Sequence, residues 1–206
     1  MFSTICLKIA HYLSRNTKEE DQEEVIAFGL ELIFSELSKL IILLAAGHIL
    51  NILIEVIVIT LVFSIYRMLS GGIHLDTFWA CLLATLASII FLALLVEPVA
   101  LGITVKMVGF LILITYIFNV LLVILRVPVG NKNHTITSIE KIKFYKKASF
   151  FLITFLTLIS LISLIFINAY QIKVLIISAF FGMSLQAITL LPITCKIIGV
   201  FENKLN

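Results

Sequence analysis

Within this 206-residue chain, one stretch gathers the residue types of covalent catalysis: Arg67-Met68-Leu69-Ser70-Gly71-Gly72-Ile73-His74-Leu75-Asp76-Thr77-Phe78-Trp79-Ala80-Cys81. His74 and Cys81, seven residues apart, are a candidate base and nucleophile. Thiolate is the reactive form of cysteine, and a nearby imidazole generates it by taking the thiol proton. In one unbroken helix, residues so spaced share a face but are separated by about 10.5 Å of rise. A working pair approaches to about 3 Å, so the chain must turn back between them. Gly71-Gly72 loosens the backbone, and Asp76 or Thr77 is a good N-cap for a helix beginning near Phe78. Cys81 then lies about one turn into that helix, where the partial positive charge of the N-terminus favours a thiolate. His74 sits in the preceding loop, free to fold over the cysteine. The alternative is that Cys81 is a small apolar filler and His74 an interfacial residue.

Other polar groups near this stretch have competing structural roles. Asp76 can orient His74, yet as an N-cap it already has a sufficient task. Ser70 can help stabilise an oxyanion, though backbone N–H groups serve equally well. Further away, Glu31, Ser35 and Lys39 recur every four residues, and Glu36 precedes Lys39 by three. They form either an internal ion pair or a polar groove for a substrate. Glu55, Asn119 and Gln186 read as interhelical hydrogen-bonding residues. Lys141, Lys143, Lys146 and Lys147 form the densest basic cluster, suited to orienting the chain and to anionic lipids. Cys6 and Cys195 read as apolar interfacial residues. The cysteines form no CxxC pair, no HExxH is present, and His11, His48 and His134 have no partner marking a metal site. No metal and no cofactor is expected.

The elements that position these residues follow from composition. Of the chain, 61% is apolar and 13% charged, against about 45–50% and 25% in a soluble domain. A net charge of +3 is too small and scattered for a nucleic-acid binder. A bilayer core of about 30 Å needs roughly 20 apolar residues per helix. The expected fold is an all-α integral membrane protein, with residues 1–206 forming a single polytopic domain. Six spans are predicted at about 25–47, 49–66, 78–96, 101–125, 148–169 and 172–194, separated by Gly47, Gly71-Gly72, Glu97-Pro98 and Pro128 to Gly130. The join near Gly47-His48 is tight enough to make the first two spans an antiparallel hairpin. Ahead of them, Phe2, Ile5, Ile9, Tyr12 and Leu13 oppose Lys8, His11 and Arg15, which predicts an interfacial amphipathic helix within residues 1–18. No cleavable signal peptide is expected, because Lys8, His11 and Arg15 interrupt the apolar run and an acidic segment follows.

Basic residues orient the spans, since Lys and Arg favour the cytoplasmic side. Twelve of the fifteen fall in the N-terminal segment, the loops after spans two and four, and the tail. Lys106 and Lys173 face the other side, and Lys39 lies within span one. Both termini and the His74 loop are therefore expected in the cytoplasm of a multi-pass cell-membrane protein.

Arg-x-x-x-Gly-Gly-x-His, with Cys seven residues after the His, resembles the signature of the AgrB family. These are membrane endopeptidases that mature quorum-sensing peptides in Gram-positive bacteria. Gly29-Leu30-Glu31, Ser35-Glu36-Leu37-Ser38-Lys39 and the basic loop after Pro128 with Asn131-Lys132 also resemble the family's layout. The resemblance implies that Cys81 is the nucleophile, His74 its general base and acid, and Arg67 and Gly72 supporting positions. It implies an AgrD-like precursor peptide as substrate, cut through a cysteine thioester. An internal Cys or Ser of the held fragment then closes a thiolactone or lactone. A homodimer is implied as well. A different class of function, a small transporter or peptide-export component working through Glu31, Glu36 and Lys39, would be supported by inverted repeats. The GGxH motif has no counterpart in the second half of the chain.

Overall fold

The computed structural model describes residues 2–14, 21–72, 78–129, 138–166, 170–192 and 194. His74, Asp76, His134, the Asn131-Lys132 pair and Cys195 lie outside the described residues, as do residues 15–18 of the expected interfacial helix. The described residues are overwhelmingly helical and contain no strand. In chain order the helices are α1 (Phe2–Ser14), α2 (Asp21–Ile49), α3 (Leu53–Ser70), α4 (Phe78–Gly102), α5 (Val105–Arg126), α6 (Ile139–Ser163) and α7 (Tyr170–Thr189). A single 3-10 turn, Leu164–Phe166, follows α6. Two compact units divide the chain, Met1–Ala45 and Ala46–Asn206.

In the first unit, α1 buries Cys6 and Ala10, one turn apart, while Tyr12 and Leu13 are exposed. The expected first span, residues 25–47, lies inside α2.

The second unit holds the end of α2 and helices α3 to α7. Five of its stretches are long and apolar enough to cross a membrane: Leu53–Ser70, Trp79–Gly102, Val105–Arg126, Ile139–Ser163 and Tyr170–Thr189. Many of their large apolar side chains are exposed, among them Phe110, Leu121, Phe151 and Phe91. Such surface suits a multi-pass membrane protein, where lipid replaces a core. A tight turn follows α2, with Asn51 at φ 58° and the Ile52 N–H donating to Gly47 O at 2.9 Å. A Cβ on Gly47 would stand 3.2 Å from Val56 Cβ, so this glycine lets α3 start against the end of α2. The tight join is thus present, a few residues later than the sequence suggests.

Two other boundaries differ from expectation. Helix α4 runs through Pro98 to Gly102 instead of stopping at residue 96. One missing backbone N–H is tolerable in a helix whose remaining bonds are intact. Helix α6 starts at Ile139, so the basic cluster lies on helix and not in a loop. Ile142, Tyr145, Ser149 and Ile153 carry a buried or half-buried stripe through the charged segment, with Lys141, Lys143 and Lys147 on the exposed side.

Helices α3 and α7 share the most extensive packing. It is possible because Gly182 lacks a side chain: a Cβ there would meet Ile59 O and Val62 Cβ at 2.9 Å. Two core clusters stack along this pair. One joins Val62, Val108, Ile112, Ile176, Phe180 and Met183. The other joins Tyr66, Leu122, Val123, Val127, Ile153, Ala187 and Leu190, at the end of α3 that carries the motif. Of the residues expected to bond between helices, Asn119 instead donates to Thr115 O of its own helix at 2.9 Å. Gln186 does reach another helix.

Replacing Gly182 with Val is expected to destabilise the protein by about 1–3 kcal/mol through overpacking. Gly109→Ala, whose new Cβ would meet nothing nearer than Leu164 Cδ1 at 3.7 Å, leaves stability near wild type. Thermal unfolding in detergent compares the two.

Candidate active site

The signature begins on the last turn of α3, where the helix ends inside the protein. Ser70 is fully buried. A buried helix end leaves carbonyl oxygens that must find donors. The Gly71 N–H donates to Arg67 O at 2.9 Å, and Ser70 Oγ donates to Tyr66 O at 2.8 Å. The Val129 N–H, arriving just after α5, donates to Ser70 O at 3.0 Å. From α7, Gln186 Nε2 donates to Gly71 O at 2.7 Å and to Ser70 Oγ at 2.9 Å.

Glycine is required at position 71 on two counts. Its φ is 73°, in the left-handed region that side chains disfavour. A Cβ there would also lie 2.2 Å from Val129 O, with which Gly71 forms an isolated parallel bridge. Gly72 is buried, and the space where its Cβ would point is bounded by Gln186 Nε2, Thr189 Oγ1 and Arg67 Nη1 at 3.4 to 3.5 Å. The Arg67 guanidinium lies over the Phe63 ring, 5.6 Å from its centroid. Arg67, Ser70, Gly71 and Gly72 therefore meet in one turn.

Cys81 is the fourth residue of α4, as the sequence predicts, and is half-buried. Its carbonyl accepts from Thr85 Oγ1 at 2.8 Å. Trp79, two residues earlier, is exposed. Helix α3 ends at Ser70 and Cys81 is carried by α4, so the two ends of the motif stand on different helices. The oxyanion role considered for Ser70 has a structural competitor, because its hydroxyl already donates within α3 and accepts from Gln186.

The remaining candidates divide by location. In the first unit, Lys39 Nζ pairs with Glu36 Oε1 at 2.6 Å, with the lysine buried and the glutamate exposed. Glu31 is half-buried. In the second unit, Lys146 Nζ donates to Ile124 O at 2.9 Å, near the C-terminal end of α5 where a cation is favoured. Lys141, Lys143 and Lys147 are exposed on α6. Among the described residues, no group of three or more His, Cys, Asp and Glu side chains is placed to hold a metal ion. Sequence reasoning missed that Gln186, Thr189 and Val129 surround the Gly71 turn. A lone Gln in an apolar segment is a signal for interhelical bonding, but its partner lies 116 positions away.

Comparison with known proteins agrees with the motif. The family model described as Accessory gene regulator B matches residues 6–190. AgrB-like protein 2 of Clostridium perfringens is 28% identical over 213 aligned residues, covering all of both chains. Accessory gene regulator protein B of Staphylococcus aureus is 28% identical, covering 90% of this chain and 92% of its own. An AgrB-like protein of Halalkalibacterium halodurans is 33% identical over 45% of this chain and 46% of its own. No solved structure matches the chain.

Gly71→Ala is expected to cost about 2–3 kcal/mol, through φ strain and loss of the contact with Val129. Lys146→Met should lower the melting midpoint by a few degrees by removing the donor to Ile124 O, whereas Lys143→Met should leave it unchanged. Melting curves of the three purified variants check both expectations.

Proposed function

Because the chain belongs to the Accessory gene regulator B (AgrB) family, we propose that it is a membrane cysteine endopeptidase that processes an AgrD-like signalling precursor. Cys81 Sγ attacks the carbonyl carbon of the scissile peptide bond, and His74 takes the thiol proton. His74 then returns the proton to the leaving amine as the C–N bond breaks. The C-terminal fragment departs, and the N-terminal fragment stays on Cys81 as a thioester. A Cys or Ser within that fragment attacks the thioester carbonyl, closing a thiolactone or lactone and freeing Cys81. The thioester keeps the acyl group activated, so ring closure needs no ATP, provided water is kept from the site.

The observation that supports this most is the interruption between α3 and α4. Arg67 and Ser70 stand at the end of one helix and Cys81 near the start of the next, so the motif is not carried on one unbroken helix. Arg67, Ser70, Gly71 and Gly72 support the turn, and Asp76 is proposed to orient His74 or to cap α4. Exposed Lys141, Lys143 and Lys147 are suited to anionic lipid and to an acidic part of the precursor. Glu31, Glu36 and Lys39 are proposed to line the path of the peptide. The whole chain is proposed to form one membrane domain of six spans, with both termini and the His74 loop cytoplasmic, working as a homodimer.

Cys81→Ala and His74→Ala are each expected to reduce peptide cleavage at least 100-fold, while Cys6→Ala and Cys195→Ala retain it. Mass spectrometry of purified protein in lipid vesicles, given an AgrD-like precursor peptide, should find a released C-terminal fragment and an acyl adduct on Cys81. Continued cleavage by Cys81→Ala would exclude the cysteine mechanism. Dependence on a transmembrane gradient and on Glu31, Glu36 or Lys39, with Cys81 dispensable, would point to transport instead.

A further inference from the structure

We propose that Gln186 is a positioning residue for the His74–Cys81 pair, an inference that rests on the cysteine-peptidase function above and extends it to the far end of the chain. Gln186 lies on α7 and is fully buried. Its Nε2 holds two successive features of the motif, Ser70 Oγ at 2.9 Å and Gly71 O at 2.7 Å. Gly71 O belongs to the peptide plane joining Gly71 to Gly72. The preceding plane, joining Ser70 to Gly71, is held through Ser70 O by the Val129 N–H at 3.0 Å. Two consecutive peptide planes are thus pinned by partners from α7 and from the segment after α5. They are the planes that leave α3 on the way to His74, and both glycines there would otherwise rotate widely.

The orientation of the carboxamide follows from its partners. Gly71 O is only an acceptor, so the group facing it must be the amide nitrogen. That choice leaves Gln186 Oε1 buried with no hydrogen-bond partner among the described residues. A buried orphan acceptor is unfavourable, and Leu or Met would fill the same volume without one. Packing therefore does not account for glutamine here, whereas fixing the Gly71–Gly72 plane does. Catalytic groups lose rate steeply when displaced by about 1 Å. Loosening this turn should consequently affect the chemical step more than peptide binding.

The test uses the full chain in lipid vesicles, with Gln186→Leu and the isosteric Gln186→Glu, which replaces the donor facing Gly71 O by an acceptor. Steady-state cleavage of an AgrD-like precursor peptide is measured together with the iodoacetamide alkylation rate of Cys81, in a Cys6→Ala/Cys195→Ala background. The expected result is a 10- to 100-fold loss of kcat with KM changed less than about threefold, and alkylation slowed towards the His74→Ala rate. Wild-type kcat and alkylation in both Gln186 variants, with His74→Ala still impaired, would overturn the positioning role and leave the dyad standing. An unimpaired His74→Ala protein would overturn the dyad, and the inference with it. If kcat fell only in proportion to the folded fraction measured by thermal unfolding, Gln186 would be a packing residue and the inference would fail.

Discussion

A helix that ends inside an apolar protein must find hydrogen-bond donors for its last carbonyls, and the end of α3 is such a place. Water cannot serve there, and an unpaired buried carbonyl costs on the order of 1–3 kcal/mol. The donors come from the turn itself at Arg67 O, from Ser70 Oγ at Tyr66 O, from the stretch after α5 at Ser70 O, and from α7 at Gly71 O. Three segments far apart in sequence are thereby tied to one point. The identity of Gly71 follows from the same closure, since Val129 O occupies the space a side chain would need.

The helices around that point show how polar groups are accommodated where lipid is the solvent. Several Ser and Thr hydroxyls bond back to their own helix four residues earlier, as at Thr85, Thr157, Ser160 and Ser178. They need no partner and fix no neighbour. Gln186 is different, because its amide reaches beyond its own backbone and binds α3 to α7 at the motif. Lower on the same pair of helices, Gly182 permits the close backbone approach that sets Gln186 at the right depth. Small-residue contact and interhelical amide thus act together. Charges follow the same economy: Lys39 is paired with Glu36, and Lys146 serves the end of α5.

This arrangement bears on the proposed chemistry. A thioester that must wait for an internal nucleophile needs a dry, rigid setting, and a turn with both glycine peptide planes held supplies rigidity on one side of it. On the other side Cys81 stands near the start of α4, on regular helix. The proposed nucleophile is therefore carried by a stiff element.

Much was legible in the sequence because local physics suffices for it. Apolar stretches of span length need no partner to become helices in lipid, so the stretches that form α3 to α7 could be read directly, as could the start of α4 at Phe78. The Arg67 to Cys81 motif was legible through residue types and spacing alone. Boundaries set by packing were less so: Pro98 reads as a stop, yet lies within α4, and the lysines at 141–147 read as a loop, yet ride on a helix whose other face is buried. Asn119 and Gln186 look alike in sequence, but one bonds to its own helix and the other crosses to Ser70 and Gly71. Which occurs depends on what faces the amide, and that is decided by the packing of α3 against α7. Composition and spacing determined that the chain is a helical membrane protein carrying the Arg67 to Cys81 motif; only the tertiary structure decided which distant groups hold the turn, because buried hydrogen bonds are chosen by proximity in space.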